Sequence, residues 1–165
     1  MAQQAMLHFI CGKAGSGKTS LARALAARER GVFFCEDAWL ARLGAPIASV
    51  QDYVAAAARV RSMMEPVIAQ LLALGVPVVL DFAGNTPRER AWVRSLFERA
   101  GAAHTLHLLE LDDETCWARI AQRNAERPEG LFFGEVSRAL FDAVTRHFAP
   151  PTPEEGFTLE RHPQG

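Results

Sequence analysis

The chain has 165 residues, of which 49% are hydrophobic and 22% charged, with a formal net charge of −1. That length, inside the roughly 100–200 residues of one domain, predicts a single domain over 1–165 with its own core. The balance excludes a disordered or collagen-like chain and leaves no global field to attract nucleic acid or an anionic membrane. Three cysteines (Cys11, Cys35 and Cys116), odd in number and without a CxxC pair, fit buried reduced thiols better than a disulfide framework or a zinc site. The five histidines share no metal-ligand spacing, so core or surface roles are expected for them. The opening Met1 to Cys11 lacks the basic start of a leader, and no apolar run nears the ~18–20 residues of a bilayer span. A cytoplasmic chain is expected, as a monomer or weak homodimer.

Leu7 to Cys11 reads as a buried strand running into a glycine turn, and Lys18 to Arg30 as a helix stopped by Gly31. Val32 to Cys35 is a second short strand, followed by Glu36-Asp37 and a helical piece to Leu43 that Gly44-Ala45-Pro46 breaks. From Ser49, apolar residues recur at helical spacing through Val50, Tyr53, Ala57, Val60, Met64, Ile68 and Leu71, with Ser49 and Asp52 forming a cap. Pro66 should kink or split that helix, and Gly75 should end it.

Val76 to Phe82 is a continuous apolar run interrupted only by Asp81, as suits a parallel strand covered on both faces. Thr86-Pro87-Arg88-Glu89 carries the signature of a capping box with proline at the first helical position, opening a helix to Gly101. A strand from His104 to Leu111 follows, then a helix from about Glu114 to Arg127 with core face Trp117, Ile120, Ala121 and Asn124. Pro128-Glu129-Gly130 breaks it, and Glu135 to Phe148 is helical again. Pro150 to Pro153 should be extended, before an edge strand at Phe157 to Glu160. Strands alternating with helices predict an α/β domain with a mostly parallel sheet.

One motif decides the chemistry. Gly12, Lys13, Ala14, Gly15, Ser16, Gly17, Lys18 and Thr19 spell G-x-x-x-x-G-K-[ST] between a predicted strand and a predicted helix. Such a turn, with Ser20 beside it, points backbone N–H groups and a helix N-terminus at phosphate oxygens. Lys18 would supply charge to the β- and γ-phosphates and Thr19 a ligand for Mg²⁺. The guanine-reading N-K-x-D motif needs a third lysine, and Lys13 and Lys18 are the only two. ATP with Mg²⁺ is therefore the expected nucleotide. Asp81 closes its strand in the manner of a Walker B aspartate that holds Mg²⁺, with a strand-end turn residue as the competing role.

Together the compact Gly-x-x-Gly-x-Gly-Lys-Thr turn, the Glu36-Asp37 pair, the segment from Val78 to Arg90 and Arg119-x-x-x-Arg123-Asn124 resemble the bacterial predicted-kinase, or AAA-domain ATP-binding, family. That family is similar to polynucleotide 5′-kinase, chloramphenicol phosphotransferase and the zeta-toxin kinases. The resemblance covers nearly the whole chain and implies a P-loop NTPase fold of three layers, with a five-stranded parallel sheet in the order 2-3-1-4-5. It also implies transfer of a γ-phosphoryl group to a small-molecule hydroxyl, with Asp37 as the carboxylate that orients or deprotonates that hydroxyl. Helix capping by Asp37, or Glu36 as the base, stay open alternatives. Other open readings are a nucleotide switch or assembly ATPase, and a 5′-polynucleotide kinase, which the near-neutral charge disfavours.

Arg119, Arg123 and Arg127 recur every fourth residue along one helix side. Such a row is either a solvated face or, with the glycine-bearing segment 127–134 as a short lid, a set of charges brought over the phosphates. Arg123 and Arg127 are the candidates for the latter.

Overall fold

Short apolar strands that alternate their side chains between two covered faces need helices on both sides, and this chain supplies them. The computed structural model describes residues 5–44 and 46–163. Ala45 of the predicted break and the first four residues of the opening stretch lie outside them. Five strands form one sheet: β1 (Met6–Cys11), β2 (Val32–Cys35), β3 (Val78–Asp81), β4 (Ala103–Glu110) and β5 (Leu159–Pro163). Their order is β2-β3-β1-β4-β5, and every pairing is parallel, as expected. On β1, Leu7, Phe9 and Cys11 face a core shared with α3 (Val50–Ala73) and α4 (Pro87–Ala100). Ile10 points the other way, into a core built on α1 (Lys18–Glu29). The period of two is thus read out as two buried layers.

Several elements depart from expectation. The left-handed residue that ends α1 is Arg30 (φ 53°), not Gly31. Gly31 is needed for a different reason: a Cβ there would lie 2.7 Å from the Pro77 carbonyl oxygen. Pro66 does not split α3, which runs unbroken for 24 residues. Val60, Met64, Ile68 and Leu72 are buried on both sides of the exposed Pro66, so packing outweighs the hydrogen bond that the ring forgoes. The helix predicted from Glu135 begins only at Arg138 in α6 (Arg138–Thr145). The Asn124 side chain clamps Val136, donating to its carbonyl and accepting from its N–H, and Ser137 caps the first turn.

The remaining departures lie at α5 (Asp113–Glu126) and the C-terminal segment. Helix α5 buries Ile120 as expected, with Trp117 and Asn124 half-buried beside it, but Cys116 takes the other core position and Ala121 is exposed. The helix seats on the glycine turn at Gly15, which presses on Cys116 and Ile120. Pro150 to Thr152 carry no helix and Thr152 is extended, as expected, while Pro153 opens a single 3₁₀ turn to Glu155. The last strand begins two residues later than predicted, because Phe157 packs against Phe97 and His104 instead.

Arg90 ties this C-terminal segment to the sheet. Fully buried, it donates to both carboxylate oxygens of Glu155 at 2.7 and 2.8 Å and to the carbonyls of Gly84 and Ala149 at 2.8 and 2.7 Å. Removing one partner of a buried pair strands the other. Arg90→Ala is therefore expected to lower unfolding free energy by about 3–5 kcal/mol in urea titrations; a loss below about 1 kcal/mol would show that the pair does not anchor the segment.

Candidate active site

In a parallel sheet the strands' carboxyl ends converge on one edge, and the groups with chemistry in this chain collect there. Between β1 and α1 the glycine turn is closed too tightly for side chains. Gly15 (φ 79°) and Gly17 (φ 96°) take left-handed backbone, and a Cβ on Gly15 would overlap the Cys116 carbonyl oxygen. No side chain caps the start of α1, so its first N–H groups stay open toward the turn. Among the described residues the Ser16 hydroxyl is buried without a hydrogen-bond partner. An anion inside the turn would satisfy both. Lys18 bends back over the turn, donating to the carbonyls of Gly12 and Lys13, both at 2.9 Å. Lys13 itself points away, to the Leu111 carbonyl and the Asp113 carboxylate.

Thr19 donates its hydroxyl to Asp81 at 2.6 Å. The two residues named from sequence as metal ligands thus meet, an oxygen pair of the hard kind that Mg²⁺ takes. Asp81 ends β3 opposite Cys35 at the end of β2, which sets Glu36 and Asp37 beside it at the start of α2 (Glu36–Leu43). These two carboxylates then part. Glu36 is buried and held by Arg61 at 2.7 Å and by the Tyr53 hydroxyl at 2.9 Å. Asp37 makes no side-chain hydrogen bond among the described residues and opens onto the cleft shared with Lys18, Asp81 and Asn85.

Asp37 is reached by water from the cleft yet crowded by protein on its other sides. Burial pushes its carboxyl up to about 6, with repulsion from Asp81 and Glu36 adding to the rise and Lys18 and Arg123 opposing it. Arg61 and Tyr53, which hold Glu36, were not singled out in the sequence. Tyr53 counted there only as an apolar position of a helix.

The arginine row divides. Arg119 lies against Gly17, and Arg123 is close enough to bear on Asp37 while its Nε is buried without a partner among the described residues. Arg127 caps α5 in left-handed backbone (φ 48°) and is exposed, its guanidinium 5.6 Å from the Phe132 ring centre. The 127–134 segment is tied to α1 by Arg23, which donates to the Gly130 carbonyl at 2.6 Å. Arg88 is exposed.

The histidines take core and surface positions, but three of them are brought together. His8, His107 and His162 form a ring-to-ring chain across β1, β4 and β5, with both contacts 3.0 Å. Glu160 joins them, so that His107, His162 and Glu160 bring three metal-capable atoms within 4.8 Å of one another. Neighbouring parallel strands supply this juxtaposition, which spacing along the chain cannot reveal. Burial lowers His107 to about 4.

Residues 7–151 match the AAA domain family. Among solved structures, a candidate kinase from Chloroflexus aurantiacus superposes with a TM-score of 0.75 at 20% identity, covering 98% of this chain and 89% of that one. A gluconokinase from Sinorhizobium meliloti gives 0.59 at 18% identity, covering 97% and 83%. APS kinase from Mycobacterium tuberculosis, in complex with AMPPNP and APS, gives 0.60 at 16% identity, covering 97% and 88%. At such identities the likeness is one of fold. Among curated proteins none matches this sequence. Among the described residues no helix is long and apolar enough to cross a membrane.

The raised carboxyl of Asp37 makes a prediction that needs no substrate. A folded-state value of about 6 against an unfolded value of 3.8 means the fold is penalised for holding this charge at neutral pH. The penalty is absent below 3.8, develops as pH rises to about 6 and is complete above that. Asp37→Asn should therefore melt at higher temperature than the parent at pH 8 and at the same temperature near pH 3.5. An equal or lower melting temperature at pH 8 would contradict the crowding of this carboxylate.

Proposed function

The chain belongs to this AAA domain family, and on that premise we propose that it is an ATP- and Mg²⁺-dependent kinase that transfers the γ-phosphoryl group to a hydroxyl of a small molecule. The observation that carries this reading is Asp37. It is an unpaired carboxylate on the cleft beside Lys18 and Asp81, and its pKa of about 6 suits a base working near neutral pH.

In this reading the turn from Gly12 to Ser20 takes the phosphates on its amides and on the Ser16 hydroxyl. Lys18 exchanges its two loop carbonyls for β- and γ-phosphate oxygens. Mg²⁺, held by Thr19 and Asp81, would neutralise charge on those phosphates. Asp37 accepts the acceptor's hydroxyl proton as its oxygen bonds to the γ-phosphorus. The bond from that phosphorus to the β,γ-bridging oxygen breaks, and ADP leaves. Arg123 faces this charge already, and Arg127 joins it when the 127–134 segment moves as a lid. Glu36 is assigned to positioning, because its oxygens are taken by Arg61 and Tyr53.

Two substitutions test the assignment. Lys18→Ala should cut transfer by about 10²–10³-fold with an unchanged melting temperature. Asp37→Asn should cut kcat by about 10²–10⁴-fold while ATP affinity stays nearly constant. The parent's rate should rise with pH through an apparent pKa near 6 as Asp37 deprotonates, and the variant should lose that limb. Full transfer by folded Asp37→Asn contradicts the base. An acceptor defect in Asp81→Asn together with lost nucleotide binding in Asp37→Asn would reverse the two carboxylates.

A further inference from the structure

Beyond the carboxylates the same cleft opens into a cavity of about 380 Å³, within the range of small-molecule sites. Its apolar lining comprises Ile47 just before α3 and Val50 at its start, Phe82 after β3, and Leu140 and Val144 of α6. Ile47, Val50 and Leu140 are each more than 40% exposed. Scattered exposed apolar residues need no explanation, but three converging on one concavity from two parts of the chain mark a binding surface.

The polar groups on this lining are nearly all committed. Glu36 is taken by Arg61 and Tyr53, the Ser49 hydroxyl by the α3 cap and Asp52, and Asp81 by Thr19. Asp37 and Asn85 remain, their side chains without hydrogen bonds among the described residues. A sugar would bring four or five hydroxyls to two available partners and leave most of them unpaired on an apolar wall. An anionic acceptor would meet Glu36, Asp37 and Asp81 with Lys18 as the one cation on the lining among the described residues. That lysine belongs to the donor phosphates.

We propose that the phosphoryl acceptor is a neutral, predominantly apolar alcohol, aryl or alkyl, bound with its hydroxyl at Asp37 and its hydrocarbon body against Ile47, Val50, Phe82, Leu140 and Val144. This rests on the phosphotransferase reading and narrows it. Asn85 offers the single polar contact away from the reacting hydroxyl.

The test is ligand-observed saturation-transfer NMR on the full chain with ADP and Mg²⁺, after titration of ADP–Mg²⁺ has established nucleotide binding. Probes are benzyl alcohol and 2-phenylethanol against glucose, gluconate, glucose 6-phosphate and a 5′-hydroxyl oligonucleotide. Signal from the two alcohols alone is expected. Val50→Arg and Leu140→Arg, both at exposed positions that the fold does not need, should weaken that binding at least tenfold and leave ADP affinity unchanged. Binding of the sugars, the phosphorylated sugar or the oligonucleotide in place of the alcohols would overturn the acceptor class and leave the kinase reading standing. Absence of alcohol binding, or alcohol binding untouched by both substitutions, would overturn it equally. Failure of ADP–Mg²⁺ to bind would instead overturn the kinase reading on which this one rests.

Discussion

A turn that carries almost no side chain at its tightest point governs this molecule. Gly15 must pass under the carbonyl of Cys116, and a Cβ at Gly12 would sit 2.6 Å from the Ser16 hydroxyl, so the main chain alone can close there. What the closure leaves, among the described residues, is a helix start without a side-chain cap and a buried serine hydroxyl without a partner. Unsatisfied buried donors are costly in a folded protein. Their concentration in one concavity is the imprint of an anion, and the position of α5 follows from it, since that helix rests on the same glycine through Cys116 and Ile120.

From that turn outward the parallel sheet arranges the rest. With β1 in the centre, β3 and then β2 lie beside it, so the residues at the ends of three strands become neighbours although they come from distant parts of the chain. Thr19, Asp81 and Asp37 meet for this reason. Two adjacent carboxylates in sequence then receive opposite environments. Glu36 turns inward to Arg61, whose guanidinium lies 5.3 Å from the centre of the Trp92 ring, while Asp37 turns to the cleft with nothing to neutralise it directly. The chemistry we propose for the site rests on that divergence. The 127–134 segment joins the two halves, since α5 before it carries the arginines and α6 after it carries the apolar wall.

Much of this was legible in the sequence because it rests on local rules. The glycine turn, the capping box at Thr86 and Glu89, and the alternation of strands and helices all state their geometry within a few residues. The strand order came from resemblance to a family rather than from any pattern in the residues. What the sequence did not carry was set by contacts across the fold. Pro66 is tolerated because the opposite face of the helix is buried both before and after it. Glu36 is held by residues 17 and 25 positions away, and the chain of His8, His107 and His162 exists only because β1, β4 and β5 are neighbours. Ile47, Val50 and Leu140 read as ordinary helix or loop residues until their exposure on one cavity is seen.

The central claim, that the turn from Gly12 to Thr19 is a cradle for nucleotide phosphates facing Asp37, is tested most directly by a crystal structure with a non-hydrolysable ATP analogue and Mg²⁺. The account requires the phosphates inside the turn, the Ser16 hydroxyl and Arg123 Nε engaged by phosphate oxygens, and Lys18 released from the Gly12 and Lys13 carbonyls. A nucleotide seated elsewhere, with Lys18 still on those carbonyls and the Ser16 hydroxyl still unpartnered, would contradict it.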